Sequence, residues 1–337
     1  MRNPAFFRGP RLRRRYFEGW YFKCISADRK HAVALIPGIA LSPEGEKHAF
    51  IQLIDAVSGK TQYFRYAYDQ FSSAKDRLFI QVGENIFQSI GVEINIDQPI
   101  NEMHQEAADK ALVNAAMAES SGSVKGNLVF SDIRTYPVTS LRPGIMGPFT
   151  FVPFMECYHA IVHLSHRIQG YLEIDGSVMD FDGGTGYIEK DYGRSFPRTY
   201  VWLQAGHFDA GDDKASFVFS RARIPFMGSE FPGFFAYLTD GRHLTAKFAT
   251  YNRSELEMWQ VDPEKRTCRG AMRGPDGLLE FEAAMSGGGV LRAPVNGMMD
   301  RDIIESITAA VNVKLTNKAG NIVFESQSHE AGMEICL

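Results

Sequence analysis

The stretch Phe17-Glu-Gly-Trp-Tyr-Phe-Lys23 opens a long succession of short apolar or alternating runs separated by turn signals. Runs of this length and spacing belong to antiparallel all-β folds. Working outward, strands are predicted at 31–37, 49–56, 61–68, 78–82 and 87–96, with Ser58-Gly59 turning one hairpin. Further strands are expected near 126–133, 158–164, 169–174 and 177–181, the last two joined at Asp175-Gly176, a dipeptide suited to a two-residue hairpin turn. Only Asn101 to Glu119, rich in alanine and bounded by Pro99 and Ser120-Ser-Gly122, reads as a helix. Arg142-Pro-Gly-Ile-Met-Gly-Pro-Phe-Thr-Phe-Val-Pro-Phe-Met155 carries too much proline for a central strand and too many apolar residues for a solvated loop, so it is expected to line or cover a cavity.

The second half repeats the first. Gly19-Trp-Tyr-Phe-Lys23 is answered by Val201-Trp-Leu-Gln204, Ala34-Leu-Ile-Pro37 by Arg221-Ala-Arg-Ile-Pro225, and Phe50-Ile-Gln-Leu-Ile-Asp55 by Phe235-Ala-Tyr-Leu-Thr-Asp240. Thr185-Gly-Tyr-Ile-Glu189 has a fainter counterpart in Ala331-Gly-Met-Glu-Ile335. Matches kept in order at a nearly constant offset indicate a duplicated β unit, hence two antiparallel β-barrels in tandem with one short helical insertion in the first half. The expected division is a basic arm over 1–15, a first barrel over 16–193 and a second over 194–337. A barrel of about eight strands has room for one small apolar ligand and leaves no free edge. The 12% aromatic content, with 25 phenylalanines, suits a lined cavity and an ordinary β core equally well.

A formal net charge of -4 argues against a nucleic-acid binder. Cys24, Cys157, Cys268 and Cys336 are scattered without a C-x-x-C pair, so reduced, buried thiols are expected. The N-terminus lacks the apolar segment of a signal peptide, and the reading is a soluble cytoplasmic protein. Arg2, Arg8, Arg11, Arg13, Arg14 and Arg15 stand in the arm with no acid among them. They offer either a peripheral contact with an anionic membrane or a solvated, locally paired segment. Gly59-Lys-Thr61 imitates the end of a P-loop, but it lies in a hairpin turn, and G-x-S-x-G, H-E-x-x-H and G-x-G-x-x-G do not occur.

The chemistry is concentrated in Asp182-Gly-Gly-Thr-Gly-Tyr-Ile-Glu-Lys-Asp-Tyr-Gly-Arg-Ser-Phe-Pro197. On an extended chain Tyr187, Glu189 and Asp191 share one face. Two adjacent acids cannot both ionise cheaply, so one is pushed toward its protonated form. The bland alternative is a pair of exposed turn residues. Among His159, His163 and His166, a regular strand puts the first two on one face and the third on the other, with no acid in phase to complete a metal set. No metal is expected, and His159 is read as a polar group in a cavity. Glu18, set among aromatic rings, is read chiefly as a structural partner of Arg13, Arg14, Arg15 or Arg194.

Four blocks carry a family resemblance: Phe17-Glu-Gly-Trp-Tyr-Phe22, Gly147-Pro-Phe-Thr-Phe-Val-Pro-Phe-Met-Glu156, Tyr187-Ile-Glu-Lys-Asp-Tyr-Gly-Arg-Ser-Phe-Pro197 with Trp202-Leu-Gln204, and Leu291-Arg-Ala-Pro294. Together they resemble the tocopherol cyclase family, which is related to carotenoid 1,2-hydratases and other tandem lipocalin-like proteins. The resemblance runs from about Tyr16 to Ile335. It implies lipocalin-like barrels and a cofactor-independent ring closure on a prenylated hydroquinone or another small hydrophobic isoprenoid. The catalytic acid of the hydratase relatives corresponds to Glu189, with Tyr187 also matched. The plant pattern has Asn and Trp where this chain has Asp191 and Tyr192, and Trp where it has His159, which alters the wall facing the substrate. On this reading Glu189 protonates an alkene with help from Asp191 and Tyr187, and His159 accepts the phenol proton. Trp20, Tyr200 and Trp202 offer ring faces to the cation. Glu18, Gln204, Phe154 and Arg194 complete the expected substrate site. A non-catalytic isoprenoid carrier and a hydratase are the alternatives.

Overall fold

The computed structural model describes all residues except 1–2, 4, 10–12, 100–120, 140–142, 210–213 and 227–228. The expected helix at Asn101 to Glu119 lies outside the described residues. Among the described residues the regular structure is β-strand apart from two short 3-10 turns, Tyr68–Gln70 and Gly147–Phe151. The first sheet holds β1 (Tyr16–Ile25), β2 (Ala32–Leu41), β3 (Lys47–Asp55), β4 (Thr61–Ala67), β5 (Phe71–Ser73), β6 (Phe79–Val82), β7 (Asn85–Gln88), β8 (Gly91–Pro99), β9 (Ser121–Thr135), β10 (Cys157–Ile174), β11 (Ser177–Asp180) and β12 (Gly184–Gly193). The second holds β13 (Tyr200–Ala205), β14 (Ser216–Phe226), β15 (Ser229–Thr239), β16 (Thr245–Ala249), β17 (Glu255–Asp262), β18 (Thr267–Gly274), β19 (Gly277–Ala284), β20 (Gly289–Val295), β21 (Met298–Thr316) and β22 (Ile322–Cys336).

The two sheets share a plan. The first runs β4-β3-β2-β1-β12-β10-β9-β8-β7-β6-β5 and the second β16-β15-β14-β13-β22-β21-β19-β18-β17. In both, the opening strand pairs with the last one, β1 with β12 and β13 with β22. Each sheet curls around its own core, so that β3 approaches β6 and β16 approaches β18. The expected all-β plan of two antiparallel units holds, but the barrels are not closed by strand pairing: among the described residues no ladder joins β4 to β5 or β16 to β17.

Two local readings also change. The predicted strand 87–96 is split by a hairpin, β7 pairing with β8 through Gln88 and Gly91. The predicted strands 158–164 and 169–174 are one continuous β10, irregular between Ile161 and His163 and again between His163 and His166. At Asp175-Gly176 both residues have positive φ, 50° and 81°, the conformation that a tight hairpin with the right-handed sheet twist requires.

Three apolar clusters decide where a ligand can go. Trp20, Phe22, Leu35, Phe64, Phe87 and Ile188 belong to the cluster filling the first sheet. Val201, Leu203, Phe217, Phe219, Phe248 and Met333 belong to that of the second. The third lies between the sheets and joins Tyr21, Ile161 and Tyr187 to Tyr200, Trp202, Leu291 and Ile303. Each large apolar side chain removed from water contributes about 1.5 to 3 kcal/mol, so the seam between the sheets is a genuine core. β1 and β13 are therefore buried on both faces, one toward their own sheet and one toward the other. Among the described residues no helix is long and apolar enough to cross a membrane.

Candidate active site

Strand pairing places the acids. Gly19 faces Asp191 and Tyr21 faces Glu189 across β1 and β12, while His159 faces Asp191 across β10 and β12. Side chains at paired positions project to the same side. Tyr187, Glu189 and Asp191 thus point away from the core of the first sheet and toward the second. There they meet Trp202 of β13, whose Nε1 donates to Glu189 Oε2 at 3.2 Å. Tyr187 donates to the same oxygen at 2.7 Å.

A cavity of about 170 Å³ opens in this seam, lined by residues of both sheets that include Gly19, Tyr21, Glu189, Asp191, Tyr200 and Trp202. The expectation of a hollow inside one barrel is corrected. Both sheet interiors are filled by their own side chains, and the space lies where the outer faces of β1 and β12 meet those of β13 and β22. The proline-rich segment 142–155 contributes Met146, Phe149 and Met155 to the wall; its Arg142 lies outside the described residues.

Glu189 is 5% exposed. Burial drives its carboxyl up to about 8; His159 opposes the shift, Asp191 adds to it, and the Tyr187 hydrogen bond opposes it. His159 stacks on Phe235 and presents Nδ1 to Asp191 Oδ1 at 3.0 Å and Nε2 to Glu189 Oε2 at 3.4 Å. Burial disfavours its charged form, but Asp191 and Glu189 outweigh that and pull it up to about 9. The carboxylates beside His159 thus favour its charged form. His159, Glu189 and Asp191 are the one group of possible metal ligands among the described residues. The imidazole turns its two nitrogens to two different carboxylates, and Glu189 Oε2 already accepts from Tyr187 and Trp202. Of the two contacts only that of Nδ1 with Asp191 is a hydrogen bond; Nε2 approaches Glu189 without one.

The irregular stretch of β10 reverses the expected histidine pairing. His163 and His166 come together, Nδ1 to Nδ1 at 3.2 Å, both buried, and His166 packs on Phe130. A regular period of two cannot anticipate this, because the irregularities shift the phase between them.

Of the remaining predicted residues, Tyr200 and Trp202 line the cavity and five others do not. Glu18 and Trp20 alternate with Gly19 and Tyr21 and so face the interior of the first sheet. Glu18 is fully buried, pairs with Lys190 Nζ at 2.7 Å, and accepts from the backbone of Arg8 and Gly9 and from Tyr16. It fastens part of the arm; the arginine side chains at 13 to 15 and Arg194 are not the partners that expectation proposed. Trp20 packs in the first core, with Lys190 Nζ 5.3 Å from its ring centroid. Phe154 is 87% exposed, and Arg194 lies outside the cavity with Nη2 near the Phe154 carbonyl. Gln204 is also displaced: it accepts from the buried Lys23 ammonium at 3.1 Å beside a separate cavity of about 20 Å³. Burial lowers that ammonium to about 7.

Sequence reasoning missed Glu305 and Glu334. They face each other across β21 and β22, are 1% and 7% exposed, and line the same cavity. Tyr21 donates to Glu305 Oε1 at 2.6 Å, and Tyr200 makes a short hydrogen bond to Glu334 Oε2. Glu334 lies in Ala331-Gly-Met-Glu-Ile335, the weak counterpart of the segment bearing Glu189, but there it stands opposite Ile188, so the repeat does not single it out. Glu305 sits in β21 among other charged residues with nothing to distinguish it.

A family model described as tocopherol cyclase-like matches residues 14–337. Over 79 residues the chain is 33% identical to a protein of Zea mays named tocopherol cyclase, chloroplastic, and 29% identical to a similarly named protein of Oryza sativa subsp. japonica. That stretch is 23% of this chain and 17% of each plant protein, so the likeness spans about a sixth of their length. The fold is similar to the crystal structure of CghA over 96% of this chain and 88% of the other, with a TM-score of 0.51 and 10% identity.

Proposed function

The chain belongs to the tocopherol cyclase-like family, and we propose that it protonates a carbon-carbon double bond in a prenylated hydroquinone or related isoprenoid so that a ring closes on the resulting cation. The observation that carries this reading is Glu189, a buried carboxyl on the wall of an apolar cavity and held near pH 8.

An alkene is a very weak base, so the acid must hold its proton at working pH and meet the alkene where water does not compete for it. Burial raises Glu189, and the acid remains loaded at neutral pH. Its hydrogen bonds all fall on Oε2, which leaves Oε1 for the transferable proton. The tertiary cation formed by the transfer would lie among ring faces of Trp202 and Tyr200, and the nearby carboxylates favour positive charge as well. The walls of the seam hold the chain folded so that oxygen meets the cation, a proximity effect.

The test is Glu189→Gln with a prenylated hydroquinone. Turnover should fall by about 10²-fold to 10⁴-fold while binding of the quinol persists. Mass spectrometry of the product separates closure, which leaves mass unchanged, from hydration, which adds one water. Full activity in the variant would end the assignment, and tight binding by the wild type without any product would favour a carrier.

A further inference from the structure

Glu305 and Glu334 differ from Glu189 in what stands beside them. They are opposite each other across β21 and β22, both buried and both on the wall of the cavity. Two carboxyls so placed cannot both ionise cheaply, so the pair carries one proton and one negative charge. It is capped by Tyr21 from the first sheet and Tyr200 from the second. Glu189, in contrast, meets only donors. The two arrangements share one cavity, and His159 stands within electrostatic reach of both Glu189 and Glu334, its buried Nε2 without a hydrogen-bond partner.

We propose that Glu334, sharing a proton with Glu305, is the base of the reaction, taking the hydrogen of the ring-closing hydroxyl while Glu189 supplies the hydrogen to the alkene. Acid and base then come one from each sheet. This rests on the reading of Glu189 given above and adds the second half of the proton cycle. Glu189 O–H breaks as a C–H bond forms at the less substituted alkene carbon. The hydroxyl oxygen gives a lone pair to the tertiary carbon, its O–H bond breaks, and the proton passes to the Glu334 carboxylate. The pair now holds two protons and Glu189 none. Return of one proton to Glu189 restores the start, with no net gain or loss and no external oxidant or cofactor. Glu305 is a positioning residue that holds the shared proton.

The electrostatics agree. Burial raises Glu334 to about 7, with Tyr200 and Glu305 hydrogen bonds and Arg301 opposing and Asp191 adding. Burial raises Glu305 as well, with Glu334 and Glu189 adding to the shift and the Tyr21 hydrogen bond opposing it.

The experiment is turnover of a prenylated hydroquinone in D₂O by the full chain and by Glu334→Gln. Ring closure should fall by about 10²-fold or more. Deuterium should still wash into the alkene carbons of recovered substrate, because Glu189 still makes the cation and takes its proton back. Closure near the wild-type rate would overturn the proposal, and so would loss of both closure and exchange, which is what structural damage predicts. Glu334→Asp, which keeps the base, should recover part of the closure. Independently of substrate, carboxyl carbon NMR of the labelled wild type at pH 7.5 should show one charge on the pair; a fully protonated pair overturns the assignment. A wild type that neither exchanges nor closes would remove the Glu189 reading, and the base with it.

Discussion

Glu189 and Glu18 are charged residues on neighbouring strands of one sheet, both buried, and they have opposite fates. Glu18 faces inward, where Lys190 neutralises it and two backbone amides and a phenol satisfy it. Glu189 faces outward into the seam, where His159 lies 3.4 Å away but burial outweighs its pull and raises the carboxyl's affinity for a proton. The difference teaches that depth alone does not make an acid. What matters is whether compensating charge and hydrogen bonds outweigh burial, and here the face of the strand decides that.

The sharpest way to break this comparison is to remove the charge from each. Glu18→Gln leaves Lys190 as a buried cation without its partner, and such a loss costs about 3 to 5 kcal/mol. Unfolding by urea should show a drop of that size, and Lys190→Met added to Glu18→Gln should recover much of it. The folded fraction should keep its turnover. If Glu18→Gln instead spared stability and removed turnover, Glu18 would belong to the active site after all.

Glu189→Gln should behave in the opposite way, and pH reveals it. The folded carboxyl lies at about 8, above its ordinary value of 4.5. A raised group contributes its full stability below its unfolded pKa and loses that contribution as pH climbs through the folded one. The wild type therefore loses stability from this group between about pH 5 and pH 8, and Glu189→Gln does not. The variant should gain about 2 to 4 kcal/mol relative to wild type across that window, read from urea midpoints at several pH values. A difference independent of pH would mean that the carboxyl is hydrated and that the contrast with Glu18 is false.

The same contrast explains what could be read from residues alone. The all-β class was legible, because alternating runs and turn dipeptides are local signals. So was the shared face of Tyr187, Glu189 and Asp191, since a period of two is a property of any extended chain. The choice of face on β1 was not legible. Phe17 to Ile25 is apolar in both registers because each face meets a core, so no alternation marks Tyr21 rather than Trp20 as the residue toward the seam. That ambiguity put Glu18 and Trp20 in the expected site and placed the hollow inside a barrel. His163 and His166 were misplaced for a different reason, the irregular phase of β10, which changes register without any glycine or proline at that point.

The smallest effect sharpens a comparison across the seam, between the two tyrosine-capped acids. Tyr187 donates to Glu189 and holds its pKa down, and Tyr200 does the same for Glu334. Each hydrogen bond to a charged group is worth about 1.5 kcal/mol, equivalent to roughly one pH unit. Tyr187→Phe should therefore raise the pKa of Glu189, keep the acid loaded to higher pH, and move the alkaline limb of the rate profile upward by at most about one unit. Tyr200→Phe should raise Glu334 instead, so that the base fills earlier on acidification and the acid limb moves upward while the alkaline limb stays in place. Two chemically identical truncations would then displace opposite edges of one profile, because one phenol caps the donor and the other the acceptor. If Tyr187→Phe moves the acid limb and Tyr200→Phe the alkaline one, the direction of proton flow across the seam is the reverse of the one argued here.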